Sequence, residues 1–161
     1  MPRRDLNGLP YDSNCWVFGI TPPLDEKKEA TLVRRIDEFL ANWSAHGSPI
    51  DAGRDVIEGT FLVVAADPNC ERCGSSIDAL FRTVQQIERE LGVAMMDPTR
   101  IFFRHGNGRI DSMPRAQFRE QGDAHTIVFD TTAHTLGEIR SGGFERKAEL
   151  SWHRDLLRKA V

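Results

Sequence analysis

The chain has 161 residues, with 21 basic and 24 acidic side chains and a formal net charge of −3. Apolar residues make up 40% and charged residues 28%, values typical of one globular domain, which exclude a disordered or fibrous chain. The longest apolar run, Phe61 to Ala66, is far shorter than the ~20 residues of a membrane-spanning helix, and the mixed charges form no basic stripe. The sequence therefore predicts neither a membrane nor a nucleic-acid partner.

The compartment follows from the N-terminus and the cysteines. No apolar segment follows the basic residues at positions 1–5, so the pattern of a secretory signal is missing. The three cysteines are an odd number, and a chain of this length needs no disulfide framework. We therefore expect a cytoplasmic protein with an irregular lead-in at 1–14 and a single domain at 15–161.

The first third of that domain predicts a strand and a helix. Cys15 to Ile20 form a short apolar run that ends before two prolines, which is typical of a strand. Asp25 has the chemistry of a helix N-cap, and apolar residues follow it at helical spacing. The helix is expected to end near Trp43, before a turn over 45–49.

Two strands and a second helix follow. Val56 and Ile57 mark one strand, and Phe61 to Ala66 form another that is apolar on both faces and is therefore expected at the centre of its sheet. A polar loop covers 67–74, and a helix with one apolar face then extends to Gly92, which stands in the usual place of a left-handed C′ residue.

The last third adds a hairpin, a strand and further helices. The turn at 105–108 joins two short strands, a helix is expected around 114–120, and a strand over 126–130. A final helix carries the apolar residues between positions 150 and 157. Four histidines are interpreted as surface or turn residues: His105, His125, His134 and His153.

The order of elements in the first two thirds is that of a ferredoxin-like βαββαβ unit. We predict a single α+β domain with a mainly antiparallel sheet, helices on one face and a C-terminal α/β extension. In this order the third strand, at 61–66, runs parallel to the first. We therefore expect the third strand to end far from His46, which follows the first helix.

Several local patterns, in order along nearly the whole chain, carry a resemblance. They are Trp16, Trp43-x-x-His46-Gly47, Asp67, Gly74-Ser75-Ser76-Ile77-Asp78, Asp97, the strand at 126–129 and Ser151-Trp152-His153. Together they resemble an uncharacterised family of soluble proteins of about this length from Bacteroidetes-type bacteria. Members carry a cysteine where this chain has Ser75, so the resemblance implies no universal catalytic thiol at that position.

Some members of that family carry the label "ABC transporter ATPase". Such an ATPase needs Gly-x-x-x-x-Gly-Lys-Ser/Thr, whose backbone amides hold the phosphates while the lysine neutralises them. The chain has no such segment. We therefore expect neither ATP hydrolysis nor tight ATP binding, and no other cofactor motif is present.

The junction between the central strand and the second helix is the strongest candidate site. Helix N-termini attract anions, so Gly74, Ser75, Ser76 and Asp78 are candidate residues for binding a small anionic ligand. Asp67 is a candidate base and Ser76 an orienting hydroxyl. The structural alternative is a capping box, with Ser75 as N-cap and Asp78 three residues later.

Two further features remain open. His46 is a candidate base or metal ligand for the same site, or it caps the C-terminus of the first helix with Gly47 in the left-handed conformation. Cys70 and Cys73 indicate a dithiol redox site, a partial zinc site or a polar loop that holds two thiols. Zinc needs four ligands, and no second ligand pair is present, so no metal site is predicted. Asp97 is interpreted as a turn residue, a carboxylate partner of Arg100 or an acid–base group.

Three functions follow from these patterns. The first is a ligand-binding protein or small enzyme with an anion site at 67–78. The alternative is a non-catalytic interaction module whose motif residues only shape the fold. The third is a dithiol redox protein acting through Cys70 and Cys73. No pattern indicates an oligomeric state.

Overall fold

The computed structural model describes residues 6–68 and 74–157, which form two antiparallel sheets, a small hairpin and several helices. The strands are β1 (Asn14–Gly19), β2 (Ser44–Ala45), β3 (Ser48–Pro49), β4 (Ala52–Ile57), β5 (Phe61–Ala66), β6 (Arg100–Arg104), β7 (Ile110–Pro114), β8 (Ile127–Phe129) and β9 (Glu145–Lys147). The helices are α1 (Glu26–Ala41), α2 (Gly74–Leu91), α3 (Arg115–Gln121) and α4 (Leu136–Glu138), followed by a π turn at Ile139–Gly143 and 3₁₀ segments at Ala148–Leu150 and Trp152–Leu156.

The first sheet has the strand order β1-β5-β4, and both pairs are antiparallel. All six residues of β5 are buried, which confirms the prediction of a central strand. Because side chains alternate along a strand, Leu62, Val64 and Ala66 face α1 and α2. Phe61 and its alternate neighbours face the other side.

The two long helices cover one face of this sheet, for the reasons expected from the sequence. The Asp25 side chain accepts a hydrogen bond of 2.8 Å from the Lys28 amide and caps α1. Gly92 ends α2 with φ 67°, the left-handed conformation expected of a C′ glycine. α1 ends at Ala41, two residues earlier than predicted, and the buried Trp43 follows it.

The second sheet has the order β7-β6-β8-β9 and packs against the other face of the first. Phe102 of β6 and Phe129 of β8 contact Phe61 of β5. The opposite face of the second sheet buries Phe103 against Phe118 of α3 and the C-terminal 3₁₀ segments. The molecule therefore has four layers: helices, sheet, sheet and helices.

The chain is a single α+β domain with antiparallel sheets, as predicted. In the first sheet, β5 lies between β1 and β4 and runs antiparallel to both. The expectation of parallel strands was wrong, because a strand inserted between two parallel neighbours in an antiparallel sheet must oppose both. The two long helices lie on one face of the first sheet, while α4 packs on the other face through Leu136 and α3 lies beyond the second sheet.

The fourth strand of the expected order leaves the first sheet. β6 pairs with β7 and β8 in the second sheet. In the described part of the chain, the outer edge of β1 has two isolated bridges, from Asn14 to Thr135 and from Thr21 to Ala94. The outer edge of β1 is therefore not covered by a full strand. The short β2–β3 hairpin and β9 were not predicted, and the expected last helix consists of two 3₁₀ segments.

No helix in the described ranges combines the length and apolar character needed to cross a membrane.

Candidate functional site

A pocket of about 260 Å³ lies beside β1, where the two sheets and α2 meet. We call it the β1 pocket. Its wall is built by the second half of β1, by Phe81 of α2, by residues 95–98, by the start of β6 and α3, and by residues 131–132 and Trp152. These segments are far apart in sequence, so only the tertiary structure brings them together.

One part of the wall is apolar. Phe18 of β1 and Phe81 of α2 meet edge to face, with ring centroids 5.7 Å apart, and Met95 is buried beside them. On the other side of β1, a Cβ atom at Gly19 would lie 2.4 Å from Cε2 of Phe102. Position 19 must therefore be glycine for the Phe102 ring to lie against the strand.

Arg100 at the start of β6 supplies one cation. Its Nε donates to Ser112 Oγ at 2.9 Å and its Nη2 donates to the Ser112 carbonyl at 3.0 Å. Ser112 Oγ is also 3.3 Å from Thr21 Oγ1 just after β1. Two hydrogen bonds thus orient the guanidinium, while Nη1 has no hydrogen-bond partner in the described ranges.

Arg115 at the start of α3 supplies the second cation. Its guanidinium carbon lies 5.6 Å from the centroid of the Trp152 ring, a distance typical of a cation–π contact. Within residues 6–68 and 74–157, no carboxylate lies within 4.0 Å of the Arg100 or Arg115 guanidinium. The pocket wall therefore carries two cations that have no ion-pair partner among the described residues.

Asp97 is the carboxylate of the pocket wall. Its Oδ1 accepts hydrogen bonds from the Thr99 amide at 2.9 Å and from Thr99 Oγ1 at 2.6 Å. These two bonds, helped by the charge of Arg100, hold the pKa of Asp97 below its usual value despite slight burial. The side chain closes a local turn, which is one of the three interpretations drawn from the sequence.

Trp152 packs against a polar cluster formed by Asp130, Ser151 and His153. The Nε1 of Trp152 donates to Asp130 Oδ1 at 3.0 Å, and the Trp152 ring stacks on His153 with centroids 4.0 Å apart. His153 is 1% exposed and its Nδ1 lies 2.7 Å from Ser151 Oγ. The interpretation of His153 as a surface residue was wrong, because the 3₁₀ segment turns its ring inward against Phe118.

Burial determines the protonation of this cluster. Loss of hydration lowers the pKa of His153 to about 4; the charge of Asp130 opposes the shift and that of Arg115 adds to it. Burial alone would raise the pKa of Asp130, but hydrogen bonds from Thr132 and Trp152 outweigh it and keep the pKa below the usual value. At neutral pH the imidazole is therefore neutral and the carboxylate charged.

The predicted anion site at 67–78 is placed only in part. α2 begins at Gly74, so Ser75 is its second residue and not its N-cap, and the capping-box interpretation is wrong. Ser76 is buried, and its carbonyl accepts a hydrogen bond of 2.8 Å from Trp43 Nε1. Ser75 and Asp78 are exposed, and the Asp67 amide donates to the Asp51 carbonyl at 2.8 Å.

His46 lies in the turn of the β2–β3 hairpin and is exposed. His46 and Gly47 have φ values of 53° and 82°, as a two-residue hairpin turn requires. The interpretation of His46 as a helix cap is therefore wrong, although Gly47 is left-handed as expected. A site shared by Asp67, Ser76 and His46 stays a prediction, and Cys70 and Cys73 lie outside the described residues.

The Trp43–Ser76 bond joins the end of α1 to the start of α2, and a substitution tests its strength. We expect Trp43→Phe to lower the free energy of unfolding by about 1 kcal/mol, because it removes a buried hydrogen bond, while the Ser76 carbonyl keeps its helical hydrogen bond within α2. Urea denaturation measures the change. Trp16→Phe is the matched control, since Trp16 packs edge to face on Trp43 and its indole makes no hydrogen bond in the described structure. Equal losses for the two variants would contradict a structural role for the bond.

Metal and thiol chemistry find little support in the described ranges. They contain no group of three or more His, Cys, Asp and Glu side chains arranged to hold a metal ion. Cys15 is buried, and burial raises the pKa of its thiol to about 12, so it is protonated and unreactive at neutral pH.

Compared with protein-family models, curated proteins and solved structures, the chain matches none of them. The site therefore has to be interpreted from its own chemistry.

Proposed function

We propose that the protein binds a small anionic ligand with an apolar body in the β1 pocket. One observation carries the proposal: Arg100 and Arg115 lie in the wall of a largely apolar pocket without a carboxylate at ion-pair distance in the described ranges. A carboxylate or phosphate group would supply the missing partner. This ligand class is the one expected from the sequence, but at a different place in the fold.

The balance of charges in the pocket wall favours an anionic ligand. It carries two arginines against the single carboxylate of Asp97, which already accepts two hydrogen bonds from Thr99. Two hydrogen bonds to Ser112 hold Arg100 in place, so its side chain has little freedom left to lose on binding, whereas Arg115 is exposed and contacts the Trp152 ring. A preorganised guanidinium binds a carboxylate or phosphate through two parallel hydrogen bonds.

The pocket supports binding more than catalysis. The lowered pKa of Asp97 makes it a weak base, and the neutral His153 is buried behind Trp152, away from the pocket wall. The apolar residues Phe18, Phe81 and Met95 supply surface for a hydrophobic body, as in most sites for small ligands.

Thermal denaturation in the presence of small anions tests the proposal. The probes are phenylacetate, 4-phenylbutyrate and phenyl phosphate, each compared with its uncharged amide or alcohol. We expect the anions to raise the unfolding midpoint, since a ligand at a hundred times its Kd adds about 2.7 kcal/mol to stability. The uncharged forms are expected to have a much smaller effect.

Two variants locate the binding. Arg100→Gln and Arg115→Gln should each reduce the effect of the anions, because each removes one charged partner. Arg119→Gln is the control, since Arg119 lies one turn further along α3, is exposed and does not line the pocket. Unchanged affinity in both pocket variants, or equal stabilisation by the uncharged probes, would contradict the proposal.

The other functions considered for the chain remain secondary proposals. A non-catalytic interaction module would use the surface and not this pocket, and a dithiol protein would depend on Cys70 and Cys73. A cytoplasmic location remains part of the proposal, on the basis of the odd number of cysteines.

A further inference from the structure

The outer edge of β1 faces the β1 pocket, and its hydrogen bonds show which backbone groups point there. The Cys15 amide donates to the His134 carbonyl at 2.8 Å, away from β5. Thr21 and Ala94 exchange two hydrogen bonds of 2.9 and 2.8 Å on the same side. In an antiparallel sheet, the backbone amide and carbonyl of successive residues point alternately to the two neighbouring strands. The backbone groups of the odd-numbered residues of β1 therefore point away from β5.

Between these two attachments, the edge of β1 is open. Val17 and Gly19 direct their amides and carbonyls away from β5, and none of these four groups has a partner in the described ranges. Both residues line the pocket and both are half-buried. We call the stretch from Val17 to Gly19 the open edge.

We propose that the ligand of the β1 pocket is a short peptide acid of two or three residues, which pairs with the open edge as an added strand. Its carboxylate lies against Arg100 and Arg115. This inference rests on the proposed function, because it specifies the anion that the same pocket binds. It extends the proposal from a charge to a pattern of backbone donors and acceptors.

The open edge explains why a peptide fits better than another anion. An extended peptide presents amides and carbonyls at the same spacing as the amides and carbonyls of the open edge. Peptides that bind as an added strand do so mainly through hydrogen bonds between the two backbones. Side chains of an added strand point alternately to the two faces of the sheet. Here the pocket offers apolar surface on both faces, from Phe18, Phe81 and Met95 on one and from Phe102 on the other.

The length of the open edge limits the length of the ligand. The segments around His134 and Ala94 already bond to β1 before and after it, so a longer strand would collide with them. Only two outward residues remain free to pair. A short peptide acid is therefore preferred to a segment of a larger protein.

Titration of the protein with matched peptides tests the inference. The probes are the N-acetyl dipeptide acids that combine Ala, Val, Leu and Phe at both positions, measured by calorimetry. The C-terminal carboxamide of the tightest-binding dipeptide should bind about tenfold to a hundredfold more weakly than the acid, since it lacks the charged acceptor. N-methylation of its amides should weaken binding at least about threefold for each lost hydrogen bond.

Variants of β1 test the same bonds from the side of the protein. Val17→Pro removes an outward amide, and proline is tolerated at such positions of an edge strand. It should weaken the best dipeptide about threefold to tenfold. Val17→Ala keeps the amide and controls for the side chain. Val56→Pro is the matched backbone control, because residue 56 points outward on the opposite edge strand, β4, away from the pocket.

The outcomes separate the two proposals. Tight binding of the acids with losses on N-methylation and in Val17→Pro supports the open edge as a peptide site. If phenylbutyrate binds as tightly as the best dipeptide, or N-methylation has no effect, the peptide inference is overturned while anion binding stands. If neither class of anion binds, both proposals are overturned. The N-methylated ligands give a result even if Val17→Pro does not fold.

Discussion

Replacing Phe61 by alanine is expected to lower the free energy of unfolding by about 3–5 kcal/mol, the usual cost of removing a buried phenylalanine. The side chain is fully buried between the two sheets. Its ring centroid lies 5.2 Å from that of Phe102, 4.8 Å from that of Phe129 and 5.1 Å from that of Phe144. A single truncation therefore opens a cavity at the boundary where the two sheets pack together.

Urea denaturation at constant temperature measures this change. Phe39→Ala is the control, since Phe39 is only half-buried on α1 and leaves an open surface instead of a closed cavity. We expect a clearly smaller loss for the control. Similar losses for the two variants would show that the aromatic cluster between the sheets does not hold them together. A fall in the denaturant slope would indicate that the second sheet unfolds separately.

Stability is expected to fall as the pH drops from about 6.5 to 4, because His153 resists protonation in the folded protein. Its pKa is lowered from 6.5 to about 4 by burial. Between these values the unfolded chain binds a proton that the folded protein does not, so acid favours unfolding. The contribution is fully present above 6.5, and its slope reaches at most about 1.4 kcal/mol per pH unit.

His153→Phe isolates this contribution, because phenylalanine cannot titrate. Its unfolding free energy should depend less on pH between 6.5 and 4 than that of the unsubstituted protein, whatever its absolute stability. Asp97, whose pKa is lowered by Thr99, loses its contribution at lower pH and affects both proteins alike. Asp130 interacts with the charge of His153, so its share of the pH dependence changes together with that of the imidazole. His125→Phe is the matched control, because it replaces an exposed imidazole by the same side chain and leaves His153 in place. Parallel pH profiles for unsubstituted and His153→Phe protein would contradict a neutral buried imidazole.

Most elements were predictable because their signals are local. Asp25 caps α1 and Gly92 ends α2 through contacts within a few residues, and a hexapeptide that is apolar on both faces has its place at the centre of a sheet. The β2–β3 hairpin and β9 were missed because two- and three-residue strands have no periodicity to detect.

The partition into two sheets was not predictable, since pairing depends on contacts between distant segments. β6 has the same apolar pattern whether it joins β1 or β7, and the chain order does not decide between them. The β1 pocket was missed for the same reason: Gly19, Arg100 and Arg115 belong to three different elements. The one local signal is Asp97-Pro98, from which the sequence predicts a turn, a partner of Arg100 or an acid–base group but no pocket.

The site predicted at 67–78 rested on general properties of helix N-termini, and such properties do not determine geometry. Which backbone and side-chain groups of Ser76 can bind a ligand depends on the residues packed around it. Its carbonyl, for example, already accepts a hydrogen bond from Trp43. The resemblance to a bacterial family likewise stays a prediction.

The way in which β1 is attached at both ends also bears on aggregation. An exposed edge strand is a template on which another molecule can add its own strand, and proteins protect such edges. The bonds of Cys15 to His134 and of Thr21 to Ala94 leave too few free groups for a second sheet to grow there. At the other edge of the same sheet, Arg54 of β4 forms a salt bridge of 2.9 Å with Asp37 of α1 and places charge along the strand. The two attachments that limit the length of the open edge therefore also protect β1 against strand addition by another molecule.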